Sequence, residues 1–326
     1  MILAVDGGNS KTDVALVSAD GGLLAHARGP LSSPHHLGLG GCLDVLQQLV
    51  DEAGLDGRRV DVAQVLLAGL DFPEEEDELQ VALEQRGWAA ATHVGNDTFA
   101  VLRAGTERGW GVAITCGAGI NCVGVAPDGR QVRYPALGAI TGDWGGGYDV
   151  GMAGLSAAAR SADGRGPTTR LERLVPAHFD EVSALAVAHA IHRGRISERR
   201  VLELAPVVLS AAAGDAVAAS IRDRLVEEIV ALARASVTRL ELADEHVEVV
   251  VGGGLMRGAD SELLGRIEAG LRRVGPQLAL RRTSAPPIVG AALLGLDAVG
   301  AGPEAQARLR GELSAAVERL ERLPVG

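Results

Sequence analysis

Short apolar runs of strand length, separated by glycine-rich polar turns, open the chain. Ile2 to Asp6 is followed by Gly7-Gly8-Asn9-Ser10, Thr12 to Ser18 by Asp20-Gly21-Gly22, and Leu23 to Arg28 closes the series. Apolar runs bounded by such turns predict an antiparallel β-meander. The same plan recurs about 110 residues later: Gly111 to Thr115, the turn Cys116-Gly117-Ala118-Gly119, Ile120 to Ala126, an Asp128-Gly129 turn and Gln131 to Tyr134. The repetition predicts a duplicated domain.

After the first meander, Leu43, Leu46, Leu49 and Val50 form a helical stripe, Val62 to Ala68 an apolar strand, and Pro73 to Arg86 a helix with an acidic first turn. Thr92 to Gly95 leads into Asn96-Asp97-Thr98, a helix-capping cluster, and a helix through Leu102. The second meander is followed by a glycine-dense loop, 138–151, then Ala-rich helices to Leu242, a strand Val247 to Val251, the turn Gly252-Gly253-Gly254 and a helix from Ile288. Leu309, Leu313, Val317 and Leu320 mark a final amphipathic helix.

Composition narrows the function classes. The 326 residues carry 31 basic and 42 acidic side chains, a net charge of −11, which disfavours nucleic acid as a partner because phosphate counterions are displaced by a basic face. The apolar stretch Ala285 to Leu296 contains Pro286 and Pro287 and falls short of the roughly 18 residues a membrane helix needs, so no membrane is expected. The chain opens directly into an apolar strand with no basic leader, and its three cysteines fit neither a disulfide framework nor a metal-binding spacing. A reducing cytoplasm is expected.

Three glycine-rich segments carry candidate chemistry. Asp6-Gly7-Gly8-Asn9-Ser10-Lys11-Thr12 lacks the spacing of a Walker A loop, yet it combines a strand-end carboxylate, bare backbone amides, a cation and a hydroxyl, the parts that hold Mg²⁺ and phosphate. Lys11 is the only lysine in the chain. Gly117-Ala118-Gly119 repeats the bare amides without the charge, and Gly142-Asp143-Trp144-Gly145 places one carboxylate where backbone comes close. Asp97 reads either as a helix cap or as a general base beside a phosphoryl acceptor. The acidic run Asp71 to Glu78 reads as a solvated helix start, and His35-His36 and His189/His192 lack partners for a metal.

These segments together resemble the actin, hexokinase and heat-shock-ATPase superfamily, and within it the BadF/BadG/BcrA/BcrD ATPase family with its N-acetylglucosamine kinase members. The resemblance runs over essentially the whole chain. It implies an α/β fold of two ribonuclease-H-like domains with an interdomain cleft: residues 1–106, completed by a C-terminal helix 303–326, and residues 107–302 with helical insertions. It implies ATP and Mg²⁺ as cofactors and an amino sugar as the small-molecule partner, with a homodimer as a possible assembly. Asp6 would organise the metal; Gly7, Gly8, Asn9, Lys11, Thr12, Gly117, Ala118 and Gly119 would lie near the phosphates, and Gly252, Gly253 and Gly254 near the adenosine. Asp97 would be the base for the sugar 6-hydroxyl, while Asp143, Asn121, His35, Asn96 and Gly142 would surround the sugar. Two positions depart from the family pattern: Trp144 stands where a glutamate is common, and Pro34 where an asparagine is usual. Both bear on the sugar's 2-substituent, which leaves N-acetylglucosamine, glucosamine and other hexoses open. The rival readings are an activator ATPase, which needs a cysteine-held iron–sulfur cluster, and a non-catalytic sugar or nucleotide sensor.

Overall fold

The computed structural model describes residues 1–322. Strands β1 (Ile2–Gly7), β2 (Thr12–Val17) and β3 (Leu23–Gly29) form the first meander, and β4 (Val60–Leu67) and β5 (Ala89–Asn96) extend it in parallel from β1, in the order β3-β2-β1-β4-β5. Alternate side chains of β1 and β2 serve two cores, as the period-two pleat requires. Leu3, Val5, Val14 and Leu16 pack with Cys42, Leu46 and Leu49 of α1 (Pro34–Glu52) and with Leu79 and Leu83 of α2 (Pro73–Arg86). Ile2, Ala4, Ala15 and Val17 pack with Ile288, Val289 and Leu293 of α11 (Pro287–Ala298) and Leu309 and Leu313 of α12 (Pro303–Glu321). Helix α3 (Thr98–Gly105) follows β5, and a Cβ on Gly290 of α11 would run into the Ala100 carbonyl of α3. Glycine there lets two helix backbones approach.

The second sheet repeats the plan. Strands β6 (Gly111–Cys116), β7 (Ile120–Val125) and β8 (Gln131–Arg133) form the meander, and β9 (Glu248–Gly252) and β10 (Ala279–Arg282) complete the order β10-β9-β6-β7-β8. Read from β8, this is the order of the first sheet, and the mixed α/β duplication expected from the sequence is present. Between the meander and β9 lie α4 (Gly146–Ala162), α5 (Leu171–His178), α6 (Ala184–His192), α7 (Leu204–Ala211) and α8 (Ala216–Arg239); α9 (Gly254–Arg257) and α10 (Ser261–Val274) separate β9 from β10. By internal contacts the chain forms two compact units. One holds Met1–Ala113, Val123–Pro135 and the described residues from Thr283 on; the other holds Ile114–Cys122 and Ala136–Arg282. The last four positions of the expected 303–326 helix lie outside the described residues. Among those described, no single helix is long and apolar enough to cross a membrane.

One expectation is corrected. The glycine-dense stretch 138–151 is not one loop, because α4 starts at Gly146. A Cβ on Gly146 would strike the Gly119 carbonyl, and one on Gly151 the Val201 carbonyl. These glycines serve close packing of a helix.

Candidate active site

Asp6, at the carboxyl end of β1, pairs in register with Asp13 of β2. Asp13 is 1% exposed and accepts hydrogen bonds from His26 Nε2 (2.8 Å), Arg28 Nε (2.7 Å) and Arg28 Nη2 (3.1 Å). Burial opposes its charge, but His26 and Arg28, together with the Lys11 charge, outweigh burial and hold the carboxyl below the usual range. Asp6 has no such shell. Burial, then the charges of Asp13 and Asp97, push its carboxyl well up, and Lys11 and Arg28 offset only part. A desolvated carboxylate repelled by two others is a site that a cation relieves.

Asp97 lies where β5 runs into α3, its backbone N–H donating to the Leu67 carbonyl at the end of β4 (3.2 Å). Ligands of open α/β sheets gather at such strand ends. Asp97 holds the N-cap position of α3, its carbonyl accepting from Ala100 N (3.0 Å) and Val101 N (3.3 Å), but its side chain makes no cap hydrogen bond; Asn96 Oδ1 accepts from Thr98 N (3.0 Å). Asn96 Nδ2 donates to the Leu70 carbonyl (3.1 Å), so Asn96 ties the segment before α2 to the start of α3. Burial first, and then the Asp71 charge, push the Asp97 carboxyl up to about 7. That value suits a general base working near neutrality.

The remaining groups of this unit are engaged within the protein. Thr12 Oγ1 donates to the buried Ser32 Oγ (2.8 Å), and a Cβ on Gly7 would clash with Ser32 Oγ and Leu67. The Gly8 N–H closes the turn on the Lys11 carbonyl (2.8 Å), with Asn9 inside it. The Lys11 ammonium lies 3.6 Å from Asp13 and 3.3 Å from Glu321 of α12. His35 is exposed in the first turn of α1, ahead of a kink at Gly38. Pattern alone missed Arg133, which donates to Glu76 Oε2 (2.7 Å) and to the Leu70 carbonyl (2.6 Å) and so braces the segment beside Asp71. Asp13 was missed too, although a carboxylate inside an apolar strand is a readable signal.

In the second unit, the carbonyls of the Gly117-Ala118-Gly119 turn face the start of α4. Gly147 N donates to Gly117 O (2.8 Å) and Tyr148 N to Ala118 O (2.9 Å). A Cβ on Gly117 or Gly119 would meet nothing within 4 Å, and neither residue has a positive φ. Packing within the chain therefore does not demand glycine here. Thr115 Oγ1, just before the turn, is buried without a hydrogen-bond partner among the described residues, the kind of orphan a ligand atom satisfies. Gly253 has φ +92°, and a Cβ on it would overlap the Cys116 carbonyl, which locks the Gly252–Gly254 turn against the end of β6. Asn121 Oδ1 accepts from Cys122 N (2.7 Å). Asp143 accepts from Gly138 N (3.0 Å) and from the Thr141 hydroxyl, so its carboxylate folds the 138–143 loop, with Gly142 at φ +81°. Among the described residues no group of three or more acidic, histidine or cysteine side chains forms a metal cage. Mg²⁺ is commonly held by one or two carboxylates and substrate phosphates, so the oxygen donors of Asp6 fit it without a cage.

Comparison with known proteins agrees with this architecture. The chain is 28% identical over 261 residues to an N-acetylmuramic acid/N-acetylglucosamine kinase of Clostridium acetobutylicum, covering 78% of this chain and 85% of the relative. It is 26% identical over 320 residues to an N-acetyl-D-glucosamine kinase of Dictyostelium discoideum, covering 91% and 98%. A solved structure assigned as an N-acetylglucosamine kinase from Chromobacterium violaceum superposes with a TM-score of 0.69 at 26% identity, over 90% of this chain and 98% of that one. A ROK family glucokinase from Streptomyces griseus, in complex with glucose and AMPPNP, shares the fold at a TM-score of 0.55 and 17% identity, over 91% and 99%. The family model for the BadF/BadG/BcrA/BcrD ATPases matches residues 3–295. With its duplicated meanders, glycine turns and strand-end carboxylates, the chain belongs to the BadF/BadG/BcrA/BcrD ATPase family.

Proposed function

We propose that this protein is an ATP-dependent kinase that transfers a phosphoryl group to the 6-hydroxyl of an amino sugar, N-acetylglucosamine. The observation that carries the reading is the Asp97 carboxylate: strand-end, without a side-chain cap hydrogen bond, and held near 7 by its surroundings. In this reading Asp97 accepts the proton of the attacking hydroxyl, and Asp143 orients the sugar ring. The amides of Gly117 to Gly119 and of Gly7 to Asn9 meet phosphate oxygens, with Lys11 exchanging its exposed Glu321 partner for phosphate. Gly252 to Gly254 flank the nucleoside. Asp6 would hold Mg²⁺, which when bound neutralises charge on the phosphates.

The kinase names of the two curated relatives support this reading. The activator-ATPase rival needs thiolates, but Cys42, Cys116 and Cys122 are all buried, and burial pushes each thiol up to about 12. Buried unpaired thiols also fit a reducing cytoplasm. A test is Asp97→Asn: kcat drops by roughly 10²–10⁴-fold while sugar binding measured by calorimetry persists. Near-normal turnover in that variant removes Asp97 from the mechanism.

A further inference from the structure

A cavity of about 450 Å³ lies in the second unit between α4 and the first half of α8, with Trp144 of the glycine-rich 142–145 segment in its wall. That volume is in the range of small-molecule sites. Its floor is apolar, from Met152, Ala153 and Ile221, and one end is built by Trp144, Asp149 and Arg224. The Arg224 guanidinium rests on the Trp144 ring, 4.1 Å from its centre, and makes no hydrogen bond or ion pair with a described residue. Its neighbours differ: Arg222 donates to Glu262 (2.7 Å), and Arg160, at the opposite end of the cavity, donates to the Arg165 carbonyl (2.8 Å). Arg224 is thus held by the ring with its N–H fork uncommitted. Asp149 receives one hydrogen bond, from Gly145 N (2.9 Å), and forms no ion pair with Arg224 although it feels that charge. A positive fork, an acceptor carboxylate and an apolar floor therefore line one cavity.

We propose that this groove binds a small organic carboxylate bearing an α-hydroxyl or α-amino donor and an apolar tail. The carboxylate takes the Arg224 fork in the planar, two-bonded manner that guanidinium favours. The α-donor reaches Asp149, and the tail covers Met152, Ala153 and Ile221. Burial and the Asp143 charge push the Asp149 carboxyl up, against the Gly145 hydrogen bond and the Arg224 charge. Trp144 follows Asp143 directly, and Asp149 pins Gly145, so an occupant touches the α4 end of the loop that carries Asp143. Binding itself does not depend on the kinase reading.

The test is calorimetry on the full chain with L-leucine, both enantiomers of 2-hydroxy-4-methylpentanoate, and L-leucinamide as the uncharged-carboxyl control, each up to about 10 mM. Trp144 emission, isolated by subtracting Trp144→Phe, is followed in parallel. At least one of the carboxylates is expected to bind saturably at one site per chain and to shift that emission. Arg224→Gln, at an exposed position, is expected to melt as the parent does and to bind at least tenfold more weakly, with leucinamide silent. Absence of saturable binding by every carboxylate, equal binding of leucinamide, or binding unchanged in Arg224→Gln overturns the proposal. So does a dimer that Arg224→Gln dissociates without any carboxylate bound, since the groove would then belong to a second copy.

Discussion

Asp97 shows what one carboxylate's surroundings do to its chemistry. Its value of about 7 means that a base working in its ionised form loses activity on the acid side, so kcat/KM should fall tenfold per pH unit below about 7. A pH profile with no acid limb above pH 5 contradicts the assignment. The same shift has a cost in stability. An ordinary aspartate ionises near 3.8, so the folded form holds its proton more tightly than the unfolded chain, and stability present below about 4 is lost as pH rises through about 7. Asp97→Asn should therefore raise Tm at pH 8 and leave it nearly unchanged at pH 4, measured by calorimetric melts. Lys11 belongs at this scale too. Its partners Asp13 and Glu321 already use its charge, and Lys11→Ala should raise KM for ATP about tenfold, the value of one charge-assisted phosphate contact, with kcat little changed. An unchanged KM would mean that the solitary lysine serves Asp13 and α12 alone. The sequence pointed to Asp6 because it ends a strand before two glycines, to Lys11 because the only lysine falls in that turn, and to Asp97 because it follows a strand at a helix start. It did not point to Arg133, whose role depends on the Leu70 carbonyl and Glu76, far away in sequence.

At the scale of elements, the meanders were legible because apolar runs and turn glycines agree over short range. The capping of α3 was half legible, since the Asn-Asp-Thr cluster offered a carboxamide and a carboxylate, and the structure puts Asp97 at the N-cap while Asn96 Oδ1 takes the Thr98 N–H. Strand β10 was not legible: Ala279-Leu280-Arg281-Arg282 has four residues, no alternation, and an edge position beside β9. The start of α4 was misread for a different physical reason, as glycine marks loops by flexibility but here permits contact. Gly146 has φ +74° and faces the Gly119 carbonyl. Gly146→Ala is accordingly expected to destabilise the protein by about 2–4 kcal/mol through steric overlap and backbone strain, read from urea unfolding. A loss below about 0.5 kcal/mol would show that the turn yields to α4 without cost.

For the whole molecule, a net charge of −11 repels a polyphosphate on average, so in the proposed reading nucleotide affinity would come from local groups: glycine amides, the cations around Asp13, and a metal on Asp6. The duplicated sheets supply the two glycine turns from equivalent positions, one with a carboxylate and cation, the other with amides alone. The departures at Trp144 and Pro34 fall on the sugar side of this division, leaving phosphoryl transfer as the part of the function that the residues support best. The most direct measurement is ADP release from MgATP, coupled to a spectrophotometric readout, over a panel of N-acetylglucosamine, glucosamine, N-acetylmuramic acid and common hexoses. Sugar-dependent ADP release, highest with N-acetylglucosamine and accompanied by its 6-phosphate, is the predicted result; ADP release that no sugar stimulates would contradict the account.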